Sequence, residues 1–214
     1  MSAISGVWRP GYGGDHKAEC QKILAAQYVF GREASDHFAF DAITLGVNLS
    51  RSFDGVPPAP NPASGAENRY WLWADARIDN REALATLLDI SSRHLSAMSD
   101  PALIMAAFLK WNVDAFDKFV GDFALAIWDN QEQVLLLVRD ALGMRPLHFY
   151  RSRGLIAFAS TPMGLHALPD IKKEPDLNFL EDILFDLRHT GDQSFFADIK
   201  KVKPAHYLLS PIAM

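Results

Sequence analysis

Between Asp122 and Ala159 the chain runs as a succession of short apolar segments separated by tight turns, and this stretch limits the available folds more than any other. Phe123 to Trp128, Val134 to Val138, Leu147 to Tyr150 and Leu155 to Ala159 have the length of strands and are mostly apolar at odd and even positions alike. Side chains alternate between the two faces of a strand, so such segments need cover on both sides. The turns at Asp129 to Gln133, Arg139 to Pro146 and Ser152 to Gly154 connect them without helices, which argues for antiparallel pairing.

The rest of the chain supplies the partners for that sheet. Ala3 to Trp8 reads as a strand that starts almost at the first residue, so the N-terminus is tied into a sheet rather than left to fray. Ala42 to Leu49, Tyr70 to Ile78 and His206 to Ser210 read as further strands. A helix is expected from about Asp15 to Val29, with Ile23, Leu24 and Tyr28 toward one side and Cys20 buried on it. A second helix from Asn80 to Leu88 has Asp79 and Glu82 at capping-box spacing. A third opens at Asp100 and Pro101 and runs through Trp111, with Asp100 as the expected cap. Thr161 to Leu168 and Asp176 to Leu187 are short helical candidates. Pro57, Pro58, Pro60, Pro62 and Gly65 mark Asp54 to Asn68 as a long surface loop. Helices grouped apart from hairpin-linked strands give an α+β class, with two antiparallel sheets between helices in an αββα sandwich. Residues 1 to 214 form one domain in this reading.

Composition narrows the function. A net charge of −5 leaves no broad basic surface to neutralise phosphates or anionic lipids, which speaks against nucleic acid and membrane partners. No apolar run reaches the roughly 18 residues a membrane helix needs, and the N-terminus lacks a signal peptide's basic start. Cys20 is the one cysteine, which fits a reducing, cytoplasmic setting. The seven histidines are scattered without metal-site spacing, so no metal is expected.

Three segments carry a resemblance. Met-Ser-Ala-Ile-Ser-Gly-Val-Trp at residues 1 to 8 resembles the start of class II glutamine amidotransferase domains, in which a cysteine follows the initiator methionine. Gly121-Asp-Phe-Ala-Leu-Ala-Ile-Trp-Asp129 and Arg139-Asp-Ala-Leu-Gly-Met-Arg-Pro-Leu-His-Phe-Tyr150, with Phe158-Ala-Ser160, resemble the hairpin and turn of the asparagine synthetase branch. The resemblance implies an N-terminal nucleophile fold and a downstream synthetase domain as partner, with ATP and magnesium bound there and no cofactor in residues 1 to 214. Among its branches, lasso peptide cyclases and β-lactam synthetases keep this domain while losing its nucleophile.

The resemblance places Ser2 at the nucleophile position. A cysteine thiol, with a pKa of about 8.5, is far easier to deprotonate than a serine hydroxyl. The family's Asn-Gly oxyanion pair aligns with Asp75 and Ala76, where an ionised carboxylate can only accept hydrogen bonds. Its arginine for the glutamine carboxylate falls at about Asn48 and Leu49. Asp100 aligns with the residue that holds the glutamine amino group. The turn at Arg139, Asp140, Gly143 and Pro146 needs no catalytic role. The expected function is a degenerate glutaminase-type domain that scaffolds an amide-forming ligase or holds its peptide. An active glutaminase using Ser2 on glutamine, and a stand-alone interaction module, are the alternatives. A homodimer is left open. Apolar surface between residues 177 and 199 is expected to face the synthetase domain.

Overall fold

The computed structural model describes residues 2–11, 16–50, 62–185 and 191–210. Gly13, Gly14, Pro57, Pro58, Pro60, His189, the expected helix ends at Asp15 and Leu187, and Pro211 to Met214 lie outside the described residues.

In chain order the elements are β1 (Ala3–Trp8), α1 (Lys17–Ala26), β2 (Ala34–Ala39), β3 (Ile43–Leu49), β4 (Ala63–Gly65), β5 (Tyr70–Ile78), α2 (Arg81–Leu87), α3 (Ser92–Ala97) and α4 (Asp100–Trp111). Then come β6 (Gly121–Asp129), β7 (Val134–Arg139), β8 (His148–Ser152), β9 (Leu155–Ala159), α5 (Pro162–Leu165), α6 (Leu177–Leu184), β10 (Lys200–Lys201) and β11 (Tyr207–Ser210). One sheet has the order β10-β8-β9-β1-β3-β2 and the other β11-β7-β6-β5-β4, with antiparallel pairing throughout.

Strand alternation sorts the apolar side chains into three layers. Ile4 and Trp8 of β1 meet Trp73 of β5 and Trp128 of β6 between the sheets. Leu72, Ala74 and Ile78 point to the opposite face of β5, where Leu84 of α2 and Leu103, Ile104 and Phe108 of α4 cover them. Val7, Ala157 and Ala159 face Ile23 of α1 and Leu165 of α5 on the far side of the first sheet. This is the expected αββα sandwich, and it explains why β6, β7 and β9 are apolar on both faces. At Gly6 the core leaves no room for a side chain, since a Cβ there would come within 2.3 Å of Phe158 and 2.7 Å of Leu45.

Several local expectations need correction. Ser99 caps α4, its Oγ accepting from the Ala102 N–H at 3.2 Å, and Asp100 sits inside the first turn. Asn80, not Asp79, precedes α2, and its amide bridges to the Lys118 carbonyl and the Val120 N–H instead of capping. Tyr28 lies in a 3-10 turn and is 54% exposed rather than packed with Ile23 and Leu24. Strand β4 occupies part of the expected loop, and β2 and α3 were not anticipated. Ala34–Ala39 is mostly exposed, so β2 shows no apolar alternation and exists through its full-length pairing with β3. Among the described residues no helix is long and apolar enough to cross a membrane.

Candidate functional site

Ser2 stands at the open end of β1, one residue before the strand begins. Its N–H donates to Asp75 Oδ1 at 3.0 Å, which ties the start of the first sheet to the middle of β5 in the second. Its Oγ accepts from the Ser50 N–H at 3.2 Å. Period-two alternation puts Asp75 on the same face of β5 as Trp73, toward β1, and sends Ala76 to the helix-covered face. Only one member of the Asp75-Ala76 pair therefore turns its side chain toward Ser2.

Asp75 is 5% exposed. Burial pushes its carboxyl above the usual carboxylate range, while the positive charge of Arg145 and the Ser2 N–H pull it back down. Arg145 Nη1 lies 3.6 Å from Asp75 Oδ2, and Arg145 Nε is buried without a hydrogen-bond partner among the described residues. The turn between β7 and β8 delivers this guanidinium. Asp140 accepts from the N–H groups of Leu142, Met144 and Arg145, while Arg139 donates to the carbonyls of Gly143, Arg145 and Val202. Gly143 takes φ +66° in that turn, a region that favours glycine. The turn that looked purely structural in the sequence thus positions a charge beside Asp75.

Asp100 is not brought to Ser2. Its Oδ2 accepts from the Ile78 N–H at 3.1 Å, three residues or roughly 10 Å of strand beyond Asp75. Its Oδ1 is paired with Arg81. Asn48 points away from the site, its amide donating to the Leu24 carbonyl of α1 at 2.7 Å, and Leu49 packs with the inter-sheet cluster. Sequence reading missed Arg145, Ser50 and Arg81. Arg145 lay inside a quoted motif, but only the register of β5 against β6 and β7 reveals that the motif ends at Asp75. Among the described residues no cluster of metal-ligating side chains occurs.

A match to the family described as "Glutamine amidotransferase domain" spans residues 1–212. The chain belongs to that family. It is similar to "Asparagine synthetase [glutamine-hydrolyzing] 3" of Bacillus subtilis (strain 168), with 30% identity over 141 residues, covering 65% of this chain and 23% of that protein. "Asparagine synthetase [glutamine-hydrolyzing] 1" of the same organism is 26% identical over 175 residues, covering 81% and 27%. The chain spans about a quarter of the length of these two relatives. A solved glutamine phosphoribosylpyrophosphate amidotransferase from B. subtilis, complexed with ADP and GMP, superposes with a TM-score of 0.60 at 12% identity. It covers 77% of this glutamine amidotransferase domain and 43% of its own chain, and it shares the fold.

Proposed function

We propose that this glutamine amidotransferase domain has lost amide hydrolysis and serves as the scaffold or substrate-holding domain of an ATP-dependent, amide-forming ligase of the asparagine synthetase type. One observation carries the reading: the carboxylate of Asp75 accepts the Ser2 N–H and pairs with Arg145. Attack on an amide carbonyl builds negative charge on its oxygen, and that charge needs neutral or positive donors. Losing one such donor costs about 10² to 10³ in rate, and a carboxylate in its place adds repulsion.

The same contact disables the base. If Met1 is removed, the freed α-amino group lies at the position that now donates to Asp75. A neighbouring carboxylate favours the charged ammonium form, so the group holds its proton instead of taking one from the Ser2 hydroxyl. Ser2 then lacks both an activated oxygen and a hole for its product. Asp100, the remaining ligand position, is occupied by Arg81.

The partner side of the reading rests on surface chemistry and on the relatives. Leu177, Leu184, Phe185 and Phe195 are 54 to 84% exposed along and beside α6, an apolar face suited to a second domain. ATP and magnesium would belong to that synthetase domain. A peptide cyclase of the lasso type, working in the cytoplasm, is the finer reading we favour, because such an enzyme forms its amide without ammonia.

Purified protein incubated with glutamine, with glutamate and ammonia measured, tests the loss of hydrolysis. Release no faster than in the Ser2→Ala variant is expected; turnover that Ser2→Ala abolishes would establish an active serine glutaminase instead. A coding sequence continuing beyond Met214 into an ATP-binding domain is expected, and a stop codon there would favour a stand-alone module.

A further inference from the structure

Each sheet ends in two strands with an unpaired side, and among the described residues these four edges are not alike. β10 has two residues, both lysine, while β4 and β11 have three and four. Short length and lysines are common protections of an edge against pairing with another chain. β2 has six residues, none of them lysine, arginine or proline, and five of the six are exposed. Just past β2 the Phe40 N–H points at β3, donating to the Ile43 carbonyl at 2.8 Å. Backbone groups alternate in direction along a paired strand, so those of Phe38 and Asp36 also face β3, and those of Ser35, His37 and Ala39 face outward. The His37 N–H agrees, since it donates to the exposed carboxylate of its own neighbour Asp36 at 2.8 Å. The face above this edge is open as well. α1 rests on β3, where a Cβ at Gly46 would come within 2.8 Å of Leu24 and 2.9 Å of Cys20. Beside it a cavity of about 270 Å³ is left, bounded by Ala25 and Tyr28 of the helix side and by Ser35 and His37 of β2. Tyr28 is 54% exposed there.

We propose that β2 is the contact edge of a two-fold dimer, in which a second copy of this chain pairs antiparallel with it and the two six-stranded sheets join into one. The outward residues fix the register. His37 lies on the axis opposite His37 of the second copy, Ser35 lies opposite Ala39 of the second copy, and each such pair exchanges N–H and C=O groups. A second copy fits because the outward positions are symmetric about His37, with a small residue on either side. The His37 N–H trades one accessible acceptor, the Asp36 carboxylate, for a backbone carbonyl. A perpendicular axis keeps both α1 helices on the same face of the joined sheet. Three strand spacings, roughly 14 Å, separate them, against about 8–10 Å for helices in direct contact, and the two Tyr28 side chains fill the space that remains. The contact is small for a protein interface, so the dimer is weak, with a dissociation constant on the order of 10 µM.

Sedimentation velocity on the whole chain between roughly 1 and 200 µM tests this, with melting temperature as the check on folding. The unaltered protein is expected to pass from monomer to dimer across that range. His37→Pro removes an outward N–H while β2 keeps its bonds to β3, and proline is tolerated at such edge positions. Ser35→Lys/Ala39→Lys sets like charges opposite each other at both ends of the contact. Each of these two variants should weaken association at least about tenfold. Ser35→Lys/Ala39→Glu sets opposite charges face to face in this register, and should associate within about threefold of the unaltered protein or more tightly. A chain that stays monomeric at the top of the range would overturn the dimer, and so would a dimer that all three variants leave alike. Loss in His37→Pro but not in Ser35→Lys/Ala39→Lys would put the axis elsewhere and defeat the register. If His37→Pro does not fold, the two charge variants decide, since they differ only in the sign of one charge. Glutamine turnover enters none of these measurements, so the dimer stands or falls apart from the reading of Ser2 and Asp75.

Discussion

Two buried aspartates, 65 positions apart and linked through Arg145, are treated in opposite ways. Asp140, 1% exposed, accepts from the backbone N–H groups of Leu142, Met144 and Arg145 at 2.9 to 3.1 Å, with that of Phe123 at 3.4 Å. Asp75, 5% exposed, has the Ser2 N–H at 3.0 Å and the Arg145 guanidinium at 3.6 Å. Ordinary backbone donors surround the first carboxylate and build a turn from it. The second has one backbone donor and a guanidinium whose Nε has no hydrogen-bond partner among the described residues. A buried charge with many fixed donors stabilises its surroundings, and one with few is a cost retained for another reason. The difference sets the Asp75 end of the molecule apart from the turn built on Asp140.

Removing the better-served carboxylate should have the largest effect. Asp140→Ala takes the acceptor from the N–H groups of Leu142, Met144 and Arg145 and from the buried N–H of Phe123, and frees the turn that carries Arg139 and Arg145. A loss of about 3–5 kcal/mol in urea unfolding is expected. A loss below about 1 kcal/mol would show that the turn is held by its other contacts and would erase the contrast with Asp75.

His148 sharpens the contrast by reversing the sign. It is largely buried, its Nδ1 lies 3.1 Å from the Ser160 carbonyl, and burial, aided by the nearby charges of Arg139 and Lys201, lowers its pKa from 6.5 to about 4. The unfolded chain binds a proton that the folded chain refuses, so this contribution is intact above pH 6.5 and is lost as pH falls toward 4. The loss amounts to about 3 kcal/mol over that window. His148→Gln should flatten that part of the stability profile, and an unchanged profile would place the titration elsewhere.

Much of this fold was legible before the structure, because its cause is local. Apolar residues at both odd and even positions in β6, β7 and β9 demand cover on two faces, and only a layered fold provides it. Strand β2 was not legible, since an exposed edge strand carries no apolar alternation and is defined by pairing with β3. Ser2 and Asp75 were named from the sequence, and the structure places them in contact through the Ser2 N–H. The site was not legible at Arg145 or Arg81, whose partners are 70 and 19 positions away and are set by strand register and helix packing. Asp100 was misread as a cap because an aspartate before a proline satisfies that pattern as well as it satisfies an ion pair.

Asp75 itself should titrate in the opposite direction from His148. Its folded pKa is raised, so the stability it contributes is fully present below the unfolded carboxylate range and is lost as pH rises through the folded value. Asp75→Asn removes this dependence. The difference in unfolding free energy, unaltered protein minus variant, should therefore fall as pH rises through the acid range and then level off. A difference that rises with pH would mean that Arg145 and the Ser2 N–H outweigh burial, and Asp75 would then join Asp140 as a well-served charge.

The smallest effect belongs to Ser2. Ser2→Ala deletes one acceptor, the Oγ that receives the Ser50 N–H at 3.2 Å, and leaves the Ser2 N–H to Asp75 contact in place. A change of about 0.5–1 kcal/mol is expected, with no change in glutamine consumption. Ser2→Cys should be equally mild and equally silent, because a thiol beside the Asp75 carboxylate still lacks an oxyanion donor. Only Ser2→Cys combined with Asp75→Asn supplies both a thiol and an amide donor. Measurable glutamine hydrolysis by Ser2→Cys alone would overturn the proposal that Asp75 blocks amide attack beside Ser2.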